Sequence, residues 1–371
     1  MTPPGQGITA VHQFHAGAAH GDGVTNSMLF IRALLRELGY DAQIFAGTVP
    51  PELRGTIRPY TEYRSRPGQI LLQHHSMGHD LGGWLAGVAD PRILVYHNIT
   101  PPAFFPDGSI EASKAEQGRA QLHAWAGEVS GAIALSRLNE AELVEAGYAP
   151  VRNLPLLLDA ATIQARPAAA EPWPGEQRLV FVGRIAPNKR QDLLVDMMAH
   201  LRRLDPDRDR RLILAGRATD AGYLGRLQAR IEQLGLARSV HIPGKVSDGQ
   251  LYGLYDQADL FVCASDHEGF GIPLIEAQAR GVPVLARATS NVADTAGAGA
   301  LLLTDGTPAE LAATARCILT DADLAARLRA GARRNLHRFD RARLAAELDR
   351  FLKERYAAVA PHPSRAGAGG D

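Results

Sequence analysis

Residues 259–287 of the chain read DLFVCASDHEGFGIPLIEAQARGVPVLAR. The stretch opens with an apolar run at 260–264, whose length and composition predict a buried strand. A polar turn with glycines follows at 265–271, and Pro273 is suited to the first turn of a helix, where its missing N–H costs nothing. The predicted helix stops before Gly281, and a second apolar run then begins. The stretch thus predicts a βαβ unit of a parallel sheet, whose carboxyl edge is the usual place for a ligand.

Two carboxylates mark this predicted loop and helix. Glu268 lies in the loop, and Glu276 follows eight positions later, in the first turn of the predicted helix. The backbone amides of Gly269, Phe270 and Gly271 lie between them, near a helix N-terminus that favours an anionic or hydroxyl-rich ligand. Either glutamate alone is explained by solvation or by the helix dipole. The pair around a glycine-rich turn favours binding of sugar hydroxyls.

The segment HEGFGIPLIEAQARGVPV, with seven residues between Glu268 and Glu276, resembles the signature of the retaining family-4 glycosyltransferases of the GT-B fold. The resemblance extends over nearly the whole chain. It implies that Glu276 binds the ribose hydroxyls of a nucleotide-diphosphate sugar, while Glu268 and the neighbouring amides hold the sugar. The further donor-binding candidates in this segment are Gly269, Phe270, Gly271, Ile272, Pro273 and Leu274.

A second motif, GRIAPNKR at 183–190, follows a predicted buried strand at 178–184. Arg184 stands at the strand end and Lys189 at the predicted helix start, so two cations lie beside free helix N–H groups and can clamp a diphosphate. The motif resembles the phosphate-binding motif of the same family. Arg184 and Lys189 are therefore predicted to act in catalysis together with Glu268, and in isolation each would be an ordinary solvated loop residue.

The N-terminal part begins with a predicted strand at 8–14, a loop HAGAAHGDG and an amphipathic helix at 24–38. The glycines do not fit G-x-G-x-x-G, so a dinucleotide site is only weakly supported. By the resemblance, Gly17, Gly21 and Asp22 lie near the donor diphosphate or the acceptor, and a plain βα turn is an equal alternative.

A strand predicted at 92–96 ends in His97 and Asn98. The resemblance places a histidine here against the transferred sugar, which makes His97 a predicted catalytic residue. The acceptor-side candidates are Asn98, Ser136, Arg137 and His75, although an N-cap role is sufficient for Ser136. The histidines at 74, 75 and 79 lie at a strand end and in a loop without clustered acids, so no metal site is predicted.

Alternating strands and helices predict an α/β protein with two Rossmann-like doubly wound domains, and the resemblance implies that they face each other across a cleft. The predicted divisions are a domain at 1–160, a linker at 161–177, a second domain at 178–338, a helix at 339–359 and a disordered tail at 360–371. The resemblance implies that the first domain is on the acceptor side, that the second binds the nucleotide sugar, and that the helix packs back on the first domain. In the second domain, Lys245 and Val246 are expected to border the nucleobase by the same resemblance.

The composition limits the possible partners. The 371 residues carry 40 basic and 40 acidic side chains, so nothing suggests nucleic-acid binding or a basic membrane patch. No apolar run approaches the roughly 20 residues of a membrane span, and no signal peptide is recognised, so a cytoplasmic protein is predicted. Cys263 and Cys317 both lie in apolar segments and are predicted to be buried free thiols.

The function that the resemblance implies is a retaining, metal-independent glycosyltransferase without a cofactor, using a UDP or GDP sugar as donor and a hydroxyl-bearing sugar or small molecule as acceptor. An epimerase or phosphorylase of the same architecture and a non-catalytic sugar-nucleotide-binding module are the alternatives. The segment RATSNVADTAGAGA at 287–300 departs from the commoner family loop near the donor, and the base, the sugar and the oligomeric state stay open.

Overall fold

A computed structural model of the chain describes residues 7–169 and 172–359. The chain divides into two compact units. The first unit contains the described residues up to 158 and those from 341 onward, and the second unit contains those from 159 to 340. The tail at 360–371, predicted to be disordered, lies outside the described residues.

Each unit is built on one parallel sheet. The strands of the first unit are β1 (Ala10–Gly17), β2 (Ile44–Thr48), β3 (Arg58–Pro59), β4 (Gln69–His75), β5 (Arg92–Tyr96), β6 (Ala132–Ala134) and β7 (Val151–Asn153). Those of the second unit are β8 (Gln177–Val182), β9 (Arg210–Ala215), β10 (Val240–Gly244), β11 (Leu260–Cys263), β12 (Val284–Arg287) and β13 (Ala300–Leu303).

The strand orders are β3-β2-β1-β4-β5-β6-β7 and β10-β9-β8-β11-β12-β13. Both begin with the order 3-2-1-4-5-6 of the Rossmann fold, in which the chain reverses direction across the sheet beside the first strand. The prediction of two Rossmann-like units is therefore confirmed. The reversal points lie between β1 and β4 in the first unit and between β8 and β11 in the second.

Helices connect the strands, as right-handed parallel crossovers require. They are α1 (Gly23–Glu37), α2 (Gly82–Ala86), α3 (Ile110–Ala124), α4 (Arg137–Glu145), α5 (Ala160–Ala165), α6 (Gln191–Leu204), α7 (Ala221–Gln233), α8 (Asp248–Gln257), α9 (Ile272–Ala279), α10 (Val292–Ala296), α11 (Pro308–Thr320), α12 (Ala322–Leu336) and α13 (Arg341–Val359). Ser136, Ser247 and Thr307 cap α4, α8 and α11, and capping boxes are present at Ser247 and Thr307.

Helix α13 packs against α1 in the first unit, although the chain reaches it only after the second unit is complete. The Tyr40 hydroxyl lies 2.5 Å from an Asp349 carboxylate oxygen, and Arg341 donates to Glu37 at 2.6 Å. Leu344, Leu348, Phe351 and Leu352 supply the buried side of the helix. The last described helix thus completes the core of the first unit.

Several predicted details were wrong. The segment assigned to a linker begins with α5, whose N-cap Asp159 accepts a hydrogen bond from the Thr162 amide at 2.7 Å. Cys317 is exposed, because the buried face of α11 is formed by Leu311, Ala312, Ala315 and Ile318 and position 317 falls outside that stripe. Cys263 is buried as predicted, and burial raises the pKa of its thiol to about 11.

Candidate functional site

Two loops meet at the reversal point of the second sheet. The first follows β8 and runs through a 3-10 turn at Pro187–Lys189 into α6. The second follows β11 and leads to Gly271, the N-cap of α9. Because β8 and β11 are hydrogen-bonded neighbours, the two sequence motifs predicted independently are brought to one edge of one sheet. This edge is where ligands bind in open α/β sheets.

Lys189 and Glu268 form a buried ion pair between these loops. The Lys189 Nζ atom lies 2.6 Å from Glu268 Oε1, and the two side chains are only 10% and 16% exposed. Lys189 also donates to the His267 carbonyl at 3.1 Å, and Ser265 donates to the same Glu268 oxygen at 2.8 Å. Both charges are thus held in a fixed geometry, with part of each side chain still reachable. Sequence reasoning missed Ser265, which is placed by the turn that follows β11.

Glu276 is paired with a residue that the sequence did not indicate. The Tyr255 hydroxyl, on α8, donates to Glu276 Oε2 at 2.9 Å. Burial raises the pKa of Glu276 to about 7, whereas the Tyr255 hydrogen bond acts in the opposite direction. The predicted position in the first helical turn was wrong: α9 begins at Ile272, so Glu276 is in its second turn and the helix dipole does not explain it.

Arg184 is an exposed cation at this edge of the second sheet. It lies two residues after the end of β8, and among the described residues its guanidinium has no hydrogen-bond or ion-pair partner. Its backbone carbonyl is fixed by a hydrogen bond from Gln191 Nε2 at 2.8 Å. The third cation of the motif, Arg190, is instead neutralised by Asp192 and Asp266. Arg184 is therefore the cation of the motif that is available to an incoming anion.

The turn before α9 presents backbone donors. The N–H groups of Gly269, Phe270 and Gly271 have no acceptor in the part of the chain that the structure describes. The following segment braces this turn, since Ser290 donates to the Glu268 carbonyl at 2.9 Å and Thr295 donates to the Phe270 carbonyl at 2.6 Å. The segment 287–300, which departs from the family pattern, thus holds the turn in place through hydrogen bonds to its carbonyl groups.

We expect Gly271→Ala to weaken binding of a nucleotide more than Gly281→Ala does. Gly271 has φ +93°, and an added Cβ would lie 2.8 Å from Leu274 Cδ1. Gly281 has φ +74° with nothing within 4 Å, so its substitution adds only backbone strain. Each variant should lose about 1 kcal/mol of unfolding free energy from strain. Gly271→Ala should in addition disturb the turn at 269–271, which presents the free backbone N–H groups. Calorimetric titration with UDP and GDP measures the difference; equal affinities would contradict it.

The other donor-side candidates occupy varied positions. Ile272 and Pro273 open α9 and are partly exposed, whereas Leu274 is buried and can offer a ligand only its backbone. Lys245 is exposed and Val246 partly exposed, directly after β10. In the first unit, Gly17 ends β1 and Gly21 has φ +76°.

Three first-unit candidates have structural partners. The Asp22 carboxylate caps α1 by accepting from the Thr25 amide at 3.2 Å. Ser136, 2% exposed, accepts from the Asn139 amide at 3.1 Å. Asn98 has φ 66°, and its amide donates to Glu142 at 3.2 Å. These contacts explain the three residues without a ligand. Arg137, a further first-unit candidate, is exposed, as is Asp22.

His75 cannot contact an acceptor as predicted. Successive strand residues face opposite sides of a sheet, and the His75 ring lies in the core against Trp125, fully buried. Its Nε2–H donates to the Gly118 carbonyl oxygen at 2.8 Å, so the proton of the neutral ring is on Nε2. Burial lowers the pKa of His75 to about 4, so the ring is neutral at physiological pH.

Three other histidines lie at the reversal point of the first sheet, near the carboxyl ends of β1 and β4 and directly after β5. His74 Nδ1 lies 2.7 Å from His97 Nε2. His15 Nε2 lies 3.0 Å from the Ser76 hydroxyl. Burial lowers the pKa of His15, His74 and His97 alike. Sequence reasoning missed His15 and considered His74 only as a metal ligand. The pattern that could have indicated both residues is a histidine near the end of each of these neighbouring strands.

A separate depression lies where β9 begins, at the opposite edge of the second sheet. Its volume is about 340 Å³, and arginines dominate its wall: Arg202, Arg208, Arg210, Arg211 and Arg238. Most of these arginines already have a partner, for example Arg210 with Asp205 at 2.8 Å and Arg202 with the Gly235 carbonyl at 2.8 Å.

Within the described residues, no group of three or more His, Cys, Asp or Glu side chains is arranged to hold a metal, and no helix could span a membrane.

Comparison with known proteins agrees with this geometry. The family model for glycosyl transferases group 1 matches residues 164–335, which contain both motifs of the second unit. The D-inositol 3-phosphate glycosyltransferase of Jonesia denitrificans is 30% identical over 322 residues, covering 81% of this chain and 75% of the relative. The chain belongs to the group 1 glycosyl transferases. It is accordingly an enzyme of the glycosyltransferase class, as the sequence predicted.

Solved structures place this group 1 glycosyltransferase in the GT-B fold. A glycosyltransferase from Rickettsia africae matches with a TM-score of 0.73 at 16% identity, covering 94% of this chain and 98% of that one. Anabaena HepE, solved in complex with UDP and glucose, matches with a TM-score of 0.70 at 17% identity, covering 93% and 100%. At these identities the likeness shows the fold alone.

Proposed function

We propose that this group 1 glycosyltransferase transfers a sugar, with retention of anomeric configuration and without a metal, from a nucleotide-diphosphate sugar to a hydroxyl of a sugar or small-molecule acceptor. The observation that carries the proposal is the Lys189–Glu268 pair at the reversal point of the second sheet, 2.6 Å across and buried, with Arg184 exposed beside it on the same loop. Buried charges of this kind are costly to maintain and are typical of functional sites.

The donor is proposed to bind to the second unit. Glu276 accepts hydrogen bonds from the ribose hydroxyls, a role consistent with its position beside Tyr255. Arg184 and Lys189 neutralise the diphosphate, and the free amides of Gly269, Phe270 and Gly271 contribute further donors. Glu268 accepts from sugar hydroxyls with the oxygen that Lys189 leaves available. HepE was solved with UDP and with UDP-glucose, so UDP-glucose is the first donor to test.

The proposed reaction does not require a nucleophilic side chain. The bond between the anomeric carbon and the phosphate oxygen breaks, and the diphosphate keeps the electron pair. The acceptor oxygen bonds to the same face of that carbon, and its proton passes to the departing phosphate oxygen. Cations and amides held in place before the reaction stabilise the leaving charge as it develops. In the first unit, His97 is proposed to contact the sugar.

A donor screen tests the proposal. The full chain is heated with UDP-, GDP-, dTDP- and ADP-sugars, and at least one donor should raise the melting temperature by mass action. That donor should be turned over in the presence of EDTA, and the first product, followed by proton NMR, should keep the anomeric configuration of the donor. Inversion of configuration, or complete loss of turnover in EDTA, would refute the retaining or metal-independent part.

The affinity for the nucleotide should rise with pH around neutrality. The pKa of Glu276 is about 7 in the free protein, so below pH 7 the carboxyl group is mostly protonated and must lose a proton to accept two ribose hydroxyls. Tighter binding at pH 8 than at pH 6 is therefore expected, by about tenfold at most per unit of pH. Calorimetry on the wild type measures this, and Glu276→Gln, which cannot titrate, should bind more weakly and without that slope. An identical slope in Glu276→Gln would exclude Glu276 as its cause.

A further inference from the structure

Gln13, His74 and His97 form one continuous chain of hydrogen bonds across three neighbouring strands. Gln13 lies on β1, His74 on β4, and His97 follows β5 directly. Gln13 Oε1 lies 3.0 Å from His74 Nε2, and His74 Nδ1 lies 2.7 Å from His97 Nε2. Gln13 and His74 are fully buried, so water cannot replace either contact. Of these three side chains, only His97 is partly exposed.

The direction of every hydrogen bond in this chain is determined by its first member. Gln13 Nε2 donates to the Met28 carbonyl at 3.0 Å, so its Oε1 is the atom facing His74 and can only accept. His74 must therefore carry its proton on Nε2. A neutral imidazole has one N–H, so His74 Nδ1 is an acceptor and the His97 Nε2–H donates to it.

Both rings are neutral at physiological pH. Burial is the main cause that lowers the pKa of His74 and of His97, and nearby histidines lower both further. His97 then has no proton on Nδ1. In the described part of the chain, Nδ1 of His97 has no hydrogen-bond partner, and it is not among the fully buried unsatisfied atoms. A bare nitrogen lone pair is thus presented at the carboxyl edge of the first sheet.

We infer that Gln13 and His74 are positioning residues that hold His97 in the tautomer protonated on Nε2, so that Nδ1 accepts a hydrogen bond from a sugar hydroxyl. The inference rests on the proposed function for the identity of the ligand, but the tautomer does not depend on it. Without His74, the His97 ring could adopt either tautomer. In the tautomer protonated on Nδ1, the ring would offer a donor where the hydroxyl needs an acceptor.

The tautomer is measured by nitrogen NMR on the full chain labelled with [15N]histidine, with the His97 ring assigned from the His97→Gln spectrum. In the wild type we expect a protonated Nε2 and a bare Nδ1. His74→Leu removes the acceptor and should populate the Nδ1–H tautomer. His74→Asn is the matched control, because its Oδ1 can occupy the place of Nδ1 and accept from His97, and it should keep the wild-type tautomer.

Kinetics with the donor found in the screen gives a second readout. His74→Leu should lower kcat/KM by roughly threefold to tenfold, the effect of one misdirected hydrogen bond, and His74→Asn should recover most of it. A wild-type His97 protonated on Nδ1, or a His74→Leu tautomer equal to the wild type, overturns the positioning role. An altered tautomer with unchanged kcat/KM overturns the acceptor role of Nδ1. Absence of turnover with every donor contradicts the proposed function and removes the acceptor role with it, whereas the tautomer is still decided by NMR.

Discussion

Lys189→Met is expected to lower sugar transfer by at least about a hundredfold and to destabilise the second unit. Losing one charge-assisted hydrogen bond costs about 1.5–3 kcal/mol, and this cation is also the one proposed to face the developing charge of the leaving diphosphate. Its partner Glu268 would remain 16% exposed without its counter-charge. Leaving a buried charge unpaired costs about 3 kcal/mol or more of unfolding free energy.

Two measurements separate these effects. Steady-state kinetics with the donor selected in the screen gives the loss of transfer, and thermal unfolding gives the loss of stability. Lys353→Met is the matched control, since Lys353 makes an exposed ion pair with Asp349 and is 65% exposed. Such pairs contribute about 0–1 kcal/mol, so this variant should keep both its activity and its melting temperature. If Lys189→Met behaves like Lys353→Met, the pair has no role in donor binding.

Arg184→Ala should lose activity without losing stability. The Arg184 side chain is exposed and makes no hydrogen bond or ion pair within the described residues, so the fold does not depend on it. A diphosphate would be its first partner, and losing that contact costs about 1.5–3 kcal/mol, or roughly ten- to a hundredfold in transfer. The contrast with Lys189→Met follows directly from the different burial of the two cations.

The comparison variant for Arg184 is Arg226→Ala, on α7 of the same unit. Arg226 lies over the Tyr223 ring, 5.9 Å from its centroid, and belongs to neither of the two sequence motifs. Its loss should leave kcat/KM within about twofold of the wild type, as is usual for surface substitutions. Equal kinetics for Arg184→Ala and the wild type, with both proteins folded, would remove Arg184 from the phosphate clamp.

The sequence predicted most elements because their signals are local. Apolar strands and capped helices follow from short patterns, and the strands predicted at 92–96 and 260–264 begin and end where the sequence placed them or within one residue. The sequence did not predict strands β3 and β7, because they have only two and three residues. Strand β3 also contains Pro59, which only an edge strand tolerates. The second-turn position of Glu276 was missed because the helix begins at Ile272, before the proline taken as its start.

Contacts between distant segments could not be derived from sequence. Gln13 and His74 are 61 positions apart, and Tyr255 and Glu276 are 21 apart, so each pair exists only through the order of strands and the packing of helices. The sequence did indicate Lys189 and Glu268 separately, from two motifs. Their 2.6 Å ion pair depends on β8 and β11 being neighbours, which single-sequence patterns do not specify.

Hydrogen exchange of the full chain with and without UDP or GDP tests the central claim most directly, namely that the two loops at the reversal point of the second sheet hold the nucleotide. Peptides covering 183–190 and 265–276 should become protected with at least one nucleotide, because the free amides at 269–271 gain acceptors. Protection confined instead to 202–211 and 235–239, around the arginine-lined depression, would contradict the account.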